Sequence, residues 1–587
     1  MLTLIQRPGQ LGHLLSGLAV LFFVPAFAKA DHVTPAACRY IPGDDGYPTQ
    51  SEWAQLNNTV GGRLIATIPQ ASVCHTAPSS SDYNETACEA LQAGWDMAQT
   101  FLEVKPAEII NAYYQNQSCD PFTPVSRPCV LGNLVSHSIN VSSAEDVIAG
   151  LEFARQKNVR LAIKTTGHDY MGKSTGLGGL ALWMYNLKTA DVIDQYESAW
   201  YSGPAIKLGS GMIVGESYEV AAAAGYRLVG GECGSVGITG GYSQGGGHSI
   251  LNTAYGMAAD NVLEWEVVTA TGEHLIATPA NNTDLYWALC GGGGGTYGVV
   301  LSMKARLYPE GPVAGGTLGF NLADAENDDT FWEAVTIWHQ YLPSFIKENN
   351  TLQWVIENSS FNVQSINLPD QPASAVKSLV SPYLSELDRL NITYLLTASV
   401  SATYLDHFAK YYGPLPYGPE PPSTVLNSRL VPRAVFANET ARAKFVDAVR
   451  STVSDGKFLY GCSGMDVSNS SHPDNAVLPA WRDTVAICIP NGFWNYTAPL
   501  AENIALKERL VTVHVPAIEA ATPGSGVYLN EMDPLYQGDW KANMYAGNYD
   551  RLLSIKHQYD PDYLFYGRFA VGGDEFTIDG SGRLCRA

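Results

Sequence analysis

The sequence predicts an α+β fold in more than one domain, and three observations carry that prediction. At 587 residues the chain exceeds what one hydrophobic core organises. Between about residues 126 and 310, strand-like runs alternate with helical periodicity and end on glycine-rich turns. From 311 to 530 the texture turns aromatic-rich and loses turns of that kind, which marks a second domain.

Taken in order, residues 1–30 read as a secretory signal. Arg7 gives the positive start, residues 14–27 are apolar, and Ala26, Ala28 and Ala30 offer small residues for cleavage. That run is short for a membrane span, which takes roughly 20 residues. Residues 31–125 are rich in proline and cysteine and weakly periodic, which predicts an extension stapled by disulfides. Cys74 with Cys88 and Cys119 with Cys129 are plausible local loops, with connectivity left open. N-x-S/T sequons, among them Asn57, Asn84, Asn281, Asn438 and Asn469, recur along the chain and fit a secreted glycoprotein carrying N-glycans.

Residues 131–141 read as a strand, and Ser142 with Glu145 as a capping box. Val147, Ile148, Leu151 and Ala154 recur at helical spacing, and residues 160–165 form the next strand. This β-α-β unit delivers the chain to Thr165-Thr166-Gly167-His168-Asp169. Strands follow at 180–187 and 205–208 and a helix at 215–224, before Gly231-Glu232-Cys233-Gly234-Ser235-Val236-Gly237. A hairpin is expected over 262–278, a short helix over 284–290 and a strand over 298–307. The proline-rich stretch 413–422 must be an extended loop, either a connector or a lid.

Composition narrows the function. With 46% hydrophobic and 16% charged residues the chain is globular rather than disordered. Its net charge of −22 speaks against nucleic acid and anionic membranes as partners.

Three glycine strings need sorting. Gly293-x-Gly295-x-x-Gly298 matches a dinucleotide fingerprint, but a helix precedes it and a strand follows, the reverse of what that motif needs. Gly241-x-Ser243-x-Gly245 matches a nucleophile elbow without the strand before and helix after it. The third reading takes the run from Gly231 to His248 as one surface of unhindered N–H groups suited to phosphate and a flat ring. His168 and Cys233 put two nucleophiles on glycine turns of one domain, and no H-x-x-H or C-x-x-C spacing points to zinc.

Here a resemblance enters. Lys164-Thr-Thr-Gly-His168-Asp-Tyr-Met-Gly172-Lys-Ser174 resembles the flavin-attachment loop of the vanillyl-alcohol-oxidase (PCMH-type) superfamily. Gly231 to His248 resembles the second loop of its berberine-bridge-enzyme-like branch, and Asn548 to Tyr566 its terminal block. The likeness runs from about 125 to 577, with fungal secreted isoamyl-alcohol-oxidase-like members nearest in pattern. It implies a PCMH-type FAD-binding domain of two subdomains over 126–310, an α+β substrate domain with an antiparallel sheet over 311–530, and a segment 531–587 returning to the FAD domain.

By that resemblance His168 and Cys233 bond covalently to FAD. Cofactor contacts are expected from Thr165, Thr166, Gly167, Asp169 and Gly172 in the first loop. The second loop would contribute Val236, Gly237, Gly240, Gly241, Gly245, Gly246, Gly247 and His248, and Asn530 would join them from the Tyr528-x-Asn530 strand. Lys164 and Gly234 depart from the family's usual arginine and proline. Val236 matches the small position of oxidases, implying O2 as the electron acceptor and peroxide as product. Strand alternation sets Tyr528 on one face and Glu531 on the other, which makes Tyr528 the first candidate for the substrate-facing catalytic group and Glu531 the second. The donor is expected to be a small molecule with an alcohol or similar C–H. A carbohydrate oxidase, a secondary-metabolite enzyme and a flavin-free binding glycoprotein are the alternatives; a colourless purified protein would mark the last.

Overall fold

The computed structural model describes residues 38–76, 83–103, 105–419, 421–468 and 470–587. The expected signal over 1–30 and the sequon at Asn469 lie outside the described residues. The first of three larger sheets has the order Leu64–Ala66, His137–Asn140, Leu180–Trp183, Leu161–Lys164. Its last three strands run parallel, as a crossover through the helix Ala144–Gln156 requires. The two strands of the expected β-α-β unit are not neighbours, because Leu180–Trp183 inserts between them. The strand expected over 131–141 is confined to His137–Asn140. The Ser142–Glu145 capping box does not form either; Asp146 takes the Ser142 amide at 2.9 Å and its hydroxyl at 2.8 Å, and pairs with Arg63.

The second sheet is antiparallel, in the order Ala190–Glu197, Ser202–Gly209, Val299–Arg306, Val262–Val268, His274–Ala277, and contains the expected hairpin. The third is the antiparallel sheet of the second domain. Its order is Leu395–Ser401, Val313–Asn321, Ser360–Pro369, Thr351–Ile356, Leu459–Gly464, Thr484–Phe493, Thr424–Leu426, with Arg429–Pro432 also paired to Thr484–Phe493. Period-two alternation gives this sheet two different faces. Trp354, Ile356, Tyr460 and Cys488 point into a core with Trp338, Phe345 and Phe445 from the covering helices. Gln353, Val355, Leu459, Gly461, Ser463, Ile489 and Asn491 alternate with them and line a cavity.

The N-terminal segment is woven into the fold rather than appended to it. Leu64–Ala66 pairs with His137–Asn140, and Cys38 is bonded to Cys585 at the far end of the chain. Cys74–Cys88 and Cys119–Cys129 form as expected, and Cys462–Cys488 is a fourth bridge. Cys290 is buried and accepts from the Trp265 indole at 3.2 Å. Among the described residues no helix is long and apolar enough to cross a membrane.

The C-terminal helix Tyr549–Tyr559 locks a glycine turn in place. The Lys556 ammonium, buried, donates to the Thr296 carbonyl at 2.9 Å, the Phe565 carbonyl at 2.8 Å and Asp560 at 2.5 Å. Asp560 in turn accepts from the amides of Leu564 and Phe565. Breaking a buried ion pair strands the remaining charge. We expect Lys556→Met to cost about 3–5 kcal/mol, read as a lower thermal unfolding midpoint. An unchanged midpoint would show that the pair is structurally idle.

Candidate active site

The two glycine turns meet. A Cβ on Gly237 would lie 2.7 Å from the Thr165 methyl, and Gly240 also faces Thr165. A third glycine turn docks on them: the amides of Gly291 and Gly293 donate to the Gln244 carbonyl at 3.0 and 2.9 Å, and a Cβ on Gly294 would lie 2.8 Å from the Gly241 backbone. Between these turns and the face of the third sheet lies a cavity of about 550 Å³. Thr165, Thr166, Gly167, His168, Asp169, Cys233, Val236, Gly237, Gly240, Gly241, His248, Tyr528, Asn530 and Glu531 all line it.

Four of the expected contacts do not line it. Gly172 is in left-handed backbone, φ +69°, against the Tyr114 ring; Gly247 packs on Tyr242 and Ala258; Gly246 is next to Met257; and a Cβ on Gly245 would meet the Asn530 amide at 2.4 Å. Those glycines serve close packing within the protein. Asp169 is also mainly structural, since its carboxylate accepts the Met171 amide at 2.9 Å and the Ser174 amide at 2.7 Å, shaping the loop. Lys164 is buried behind the cavity and donates to the Lys105 carbonyl at 2.8 Å; burial lowers its pKa to about 7. Ser243 is no nucleophile elbow: its hydroxyl is buried and donates to the Ile238 carbonyl at 2.6 Å.

His168 and Cys233 are joined by a residue that sequence reasoning assigned no role. The buried Ser235 hydroxyl is 2.8 Å from His168 Nε2 and 3.2 Å from Cys233 Sγ. Burial depresses the His168 pKa to about 4, so its imidazole is neutral at neutral pH. The proline loop passes over this corner: a Cβ on Gly234 would lie 2.3 Å from the Pro416 carbonyl oxygen. That contact explains why glycine stands at 234, and Pro419 reaches the cavity wall.

The expected strand at Tyr528–Asn530 is a turn, closed by the Glu531 amide donating to the Tyr528 carbonyl at 2.9 Å. Alternation therefore fails, and Glu531 lines the same cavity as Tyr528. Glu531 Oε1 lies 3.0 Å from His248 Nε2, and Glu232 lies 3.6 Å from His248 Nδ1. Burial works against a charged His248, but the carboxylates of Glu531 and Glu232 outweigh it and raise its pKa to about 10. Tyr528 is buried and its phenol is held protonated well above the usual range; it accepts from Asn530 Nδ2 at 2.7 Å. Asn530 Nδ2 also donates to the Gly241 carbonyl at 2.8 Å, leaving Oδ1 as the acceptor for a ligand.

The cavity fits a flavin. It has a cradle of glycines with no Cβ to obstruct a flat ring, and two nucleophilic side chains sit in its wall. Several lining groups carry buried polar atoms with no protein partner: Glu531 Oε2, Gln244 Oε1, Ser210 Oγ and Asn491 Oδ1. Such atoms are costly unless a ligand or water satisfies them.

Comparison with known proteins agrees. A family model described as an FAD binding domain matches residues 136–278, and one described as berberine and berberine like matches 527–571. A bifunctional decalin synthase of Penicillium decumbens is 50% identical over 97% of this chain and 99% of its own length. The crystal structure of a VAO-type flavoprotein from Myceliophthora thermophila is 46% identical, covers 94% of this chain and 100% of its own, and superposes with a TM-score of 0.91. A glucooligosaccharide oxidase from Acremonium strictum, described with a 6-S-cysteinyl, 8α-N1-histidyl FAD, shares the fold at 19% identity and a TM-score of 0.62, over 74% of this chain and 91% of its own. The chain therefore belongs to the FAD-linked oxidoreductases of the vanillyl-alcohol-oxidase and berberine-bridge-enzyme family, with FAD as its cofactor.

Proposed function

We propose that this protein is a secreted, glycosylated oxidase that dehydrogenates an alcohol or similar C–H donor and passes the electrons to O2, releasing H2O2. The observation that carries this reading is Glu531: one carboxylate oxygen is held by His248 while the other, Oε2, has no protein partner at the cavity wall. Bound FAD would supply a two-electron hydride acceptor, held through His168 and Cys233. Glu531 then takes the donor's hydroxyl proton as general base. Tyr528, protonated and already accepting from Asn530, keeps its O–H to orient the donor oxygen. Val236 stands at the cavity wall, at the position where the resemblance puts the small residue of oxidases. Four disulfides and exposed sequon residues such as Asn84, Asn281 and Asn438 support the secretory route.

The test is a peroxide-release screen over aliphatic and benzylic alcohols, cellobiose and phenolics. Peroxide with an alcohol donor is expected; dye reduction without peroxide from any donor would make the protein a dehydrogenase.

A second reading places the same chemistry on the carbon skeleton of a secondary metabolite. The near-full-length likeness to a decalin synthase favours it, together with the apolar side chains Val355, Leu426, Leu459 and Ile489 on the cavity face of the sheet. Gly461 lies between Val355 and Ile489 in the sheet and a Cβ there would meet nothing within 4 Å. A glycine inside a strand marks close approach of another group. On either reading Gly461→Phe should raise KM for a bulky apolar donor by about tenfold or more while sparing kcat for a small alcohol. Equal effects on large and small donors would remove Gly461 from the donor's path.

A further inference from the structure

Ser235 touches both nucleophiles that the proposed function gives to FAD. Its Oγ is 2.8 Å from His168 Nε2 and 3.2 Å from Cys233 Sγ, and the residue is fully buried. A hydroxyl between two such atoms can point its single proton only one way at a time. If Oγ–H points at Nε2, that nitrogen is the acceptor and the ring proton sits on Nδ1. Both nucleophiles are then idle, because Nδ1 has no lone pair to offer and the sulfur is left to donate its own proton. If Oγ–H points at the sulfur, Nε2–H donates to Oγ, the lone pair sits on Nδ1, and the sulfur accepts a hydrogen bond that favours the thiolate, the form that attacks carbon.

We propose that Ser235 is the positioning residue for both flavin attachments, fixing Nδ1 as the attaching nitrogen of His168 and readying the Cys233 sulfur through the same hydroxyl. This rests on the covalent-flavin reading above. The neutral state of the buried His168 ring is consistent with it, since only a neutral imidazole has a lone pair to place. Each attachment replaces one C–H bond of the flavin by a C–N or C–S bond. The proton leaves to solvent, and the two electrons of the replaced bond pass through the ring to molecular oxygen, the oxidant the step requires.

The decisive comparison is Ser235→Thr against Ser235→Val in the full chain, because the two side chains have the same shape and differ only in the hydroxyl. Purified protein is acid-precipitated, flavin in the pellet is measured by absorbance, and peptides spanning residues 165–173 and 228–304 are weighed for attached flavin. The threonine variant should attach flavin within about twofold of wild type and the valine variant about tenfold less at both peptides, with FAD still bound non-covalently. Ser235→Ala, which adds no methyl to a tight site, should match the valine variant. Equal attachment in the threonine and valine variants, or loss at one peptide alone, overturns the proposal. Wild-type protein that releases all its flavin into the acid supernatant overturns instead the covalent reading beneath it.

Discussion

Glu531→Gln is expected to lower kcat by about 10²- to 10⁴-fold, the range that removing a positioned general base produces, while leaving the flavin attached and the protein folded. Glutamine keeps the shape and can still meet His248 through its amide oxygen, so what disappears is the proton acceptor. The alternative base is Tyr528. Its phenol is buried and held protonated, and its oxygen already accepts from Asn530. Tyr528→Phe should therefore cost only about tenfold, as the loss of one orienting hydrogen bond. Steady-state kinetics of the two variants on one donor decide between them. A glutamine variant within tenfold of wild type, beside a severely impaired phenylalanine variant, would exchange the two roles.

The placement of these two residues on one cavity wall, where strand alternation separates them, shows what the sequence could and could not reveal. Tyr528-Leu529-Asn530-Glu531 has the spacing of a strand, and alternation then separates Glu531 from Tyr528. A single backbone bond from the Glu531 amide to the Tyr528 carbonyl makes it a turn instead, and turns leave no trace in period-two spacing. His168 and Cys233 were legible because each sits on a glycine turn with its own signature. Ser235 lies within the Gly231–Gly237 turn without a signal of its own, since its proposed role arises from a distance to His168 that local sequence does not encode. The same holds for Cys38–Cys585, whereas Cys74–Cys88 and Cys119–Cys129 close loops short enough to guess. Gly461 had a faint signal, a glycine within Leu459–Gly464, but nothing in sequence said which face of that strand met a cavity.

The second large effect lies at His248, an imidazole between two carboxylates. Its folded pKa of about 10 stands above its ordinary value of 6.5. A raised pKa means the folded state holds the proton more tightly than the unfolded chain, so this contribution is complete below about pH 6.5 and is lost as pH rises to about 10. The size is on the order of a few kcal/mol. Lys164 pulls the other way, because its pKa near 7 makes stability grow as pH rises above that value. The wild-type curve alone is thus ambiguous, and the quantity to measure is the difference in thermal midpoint between wild type and His248→Gln across pH 6 to 10. That difference should be largest at pH 6, where the variant leaves Glu232 and Glu531 facing each other without a cation at a cost of about 3–5 kcal/mol, and should shrink toward pH 10. A difference independent of pH would mean that His248 binds its proton no more tightly in the folded protein than in the unfolded chain, and Glu531 would then be held by an Nε2–H hydrogen bond rather than by an ion pair.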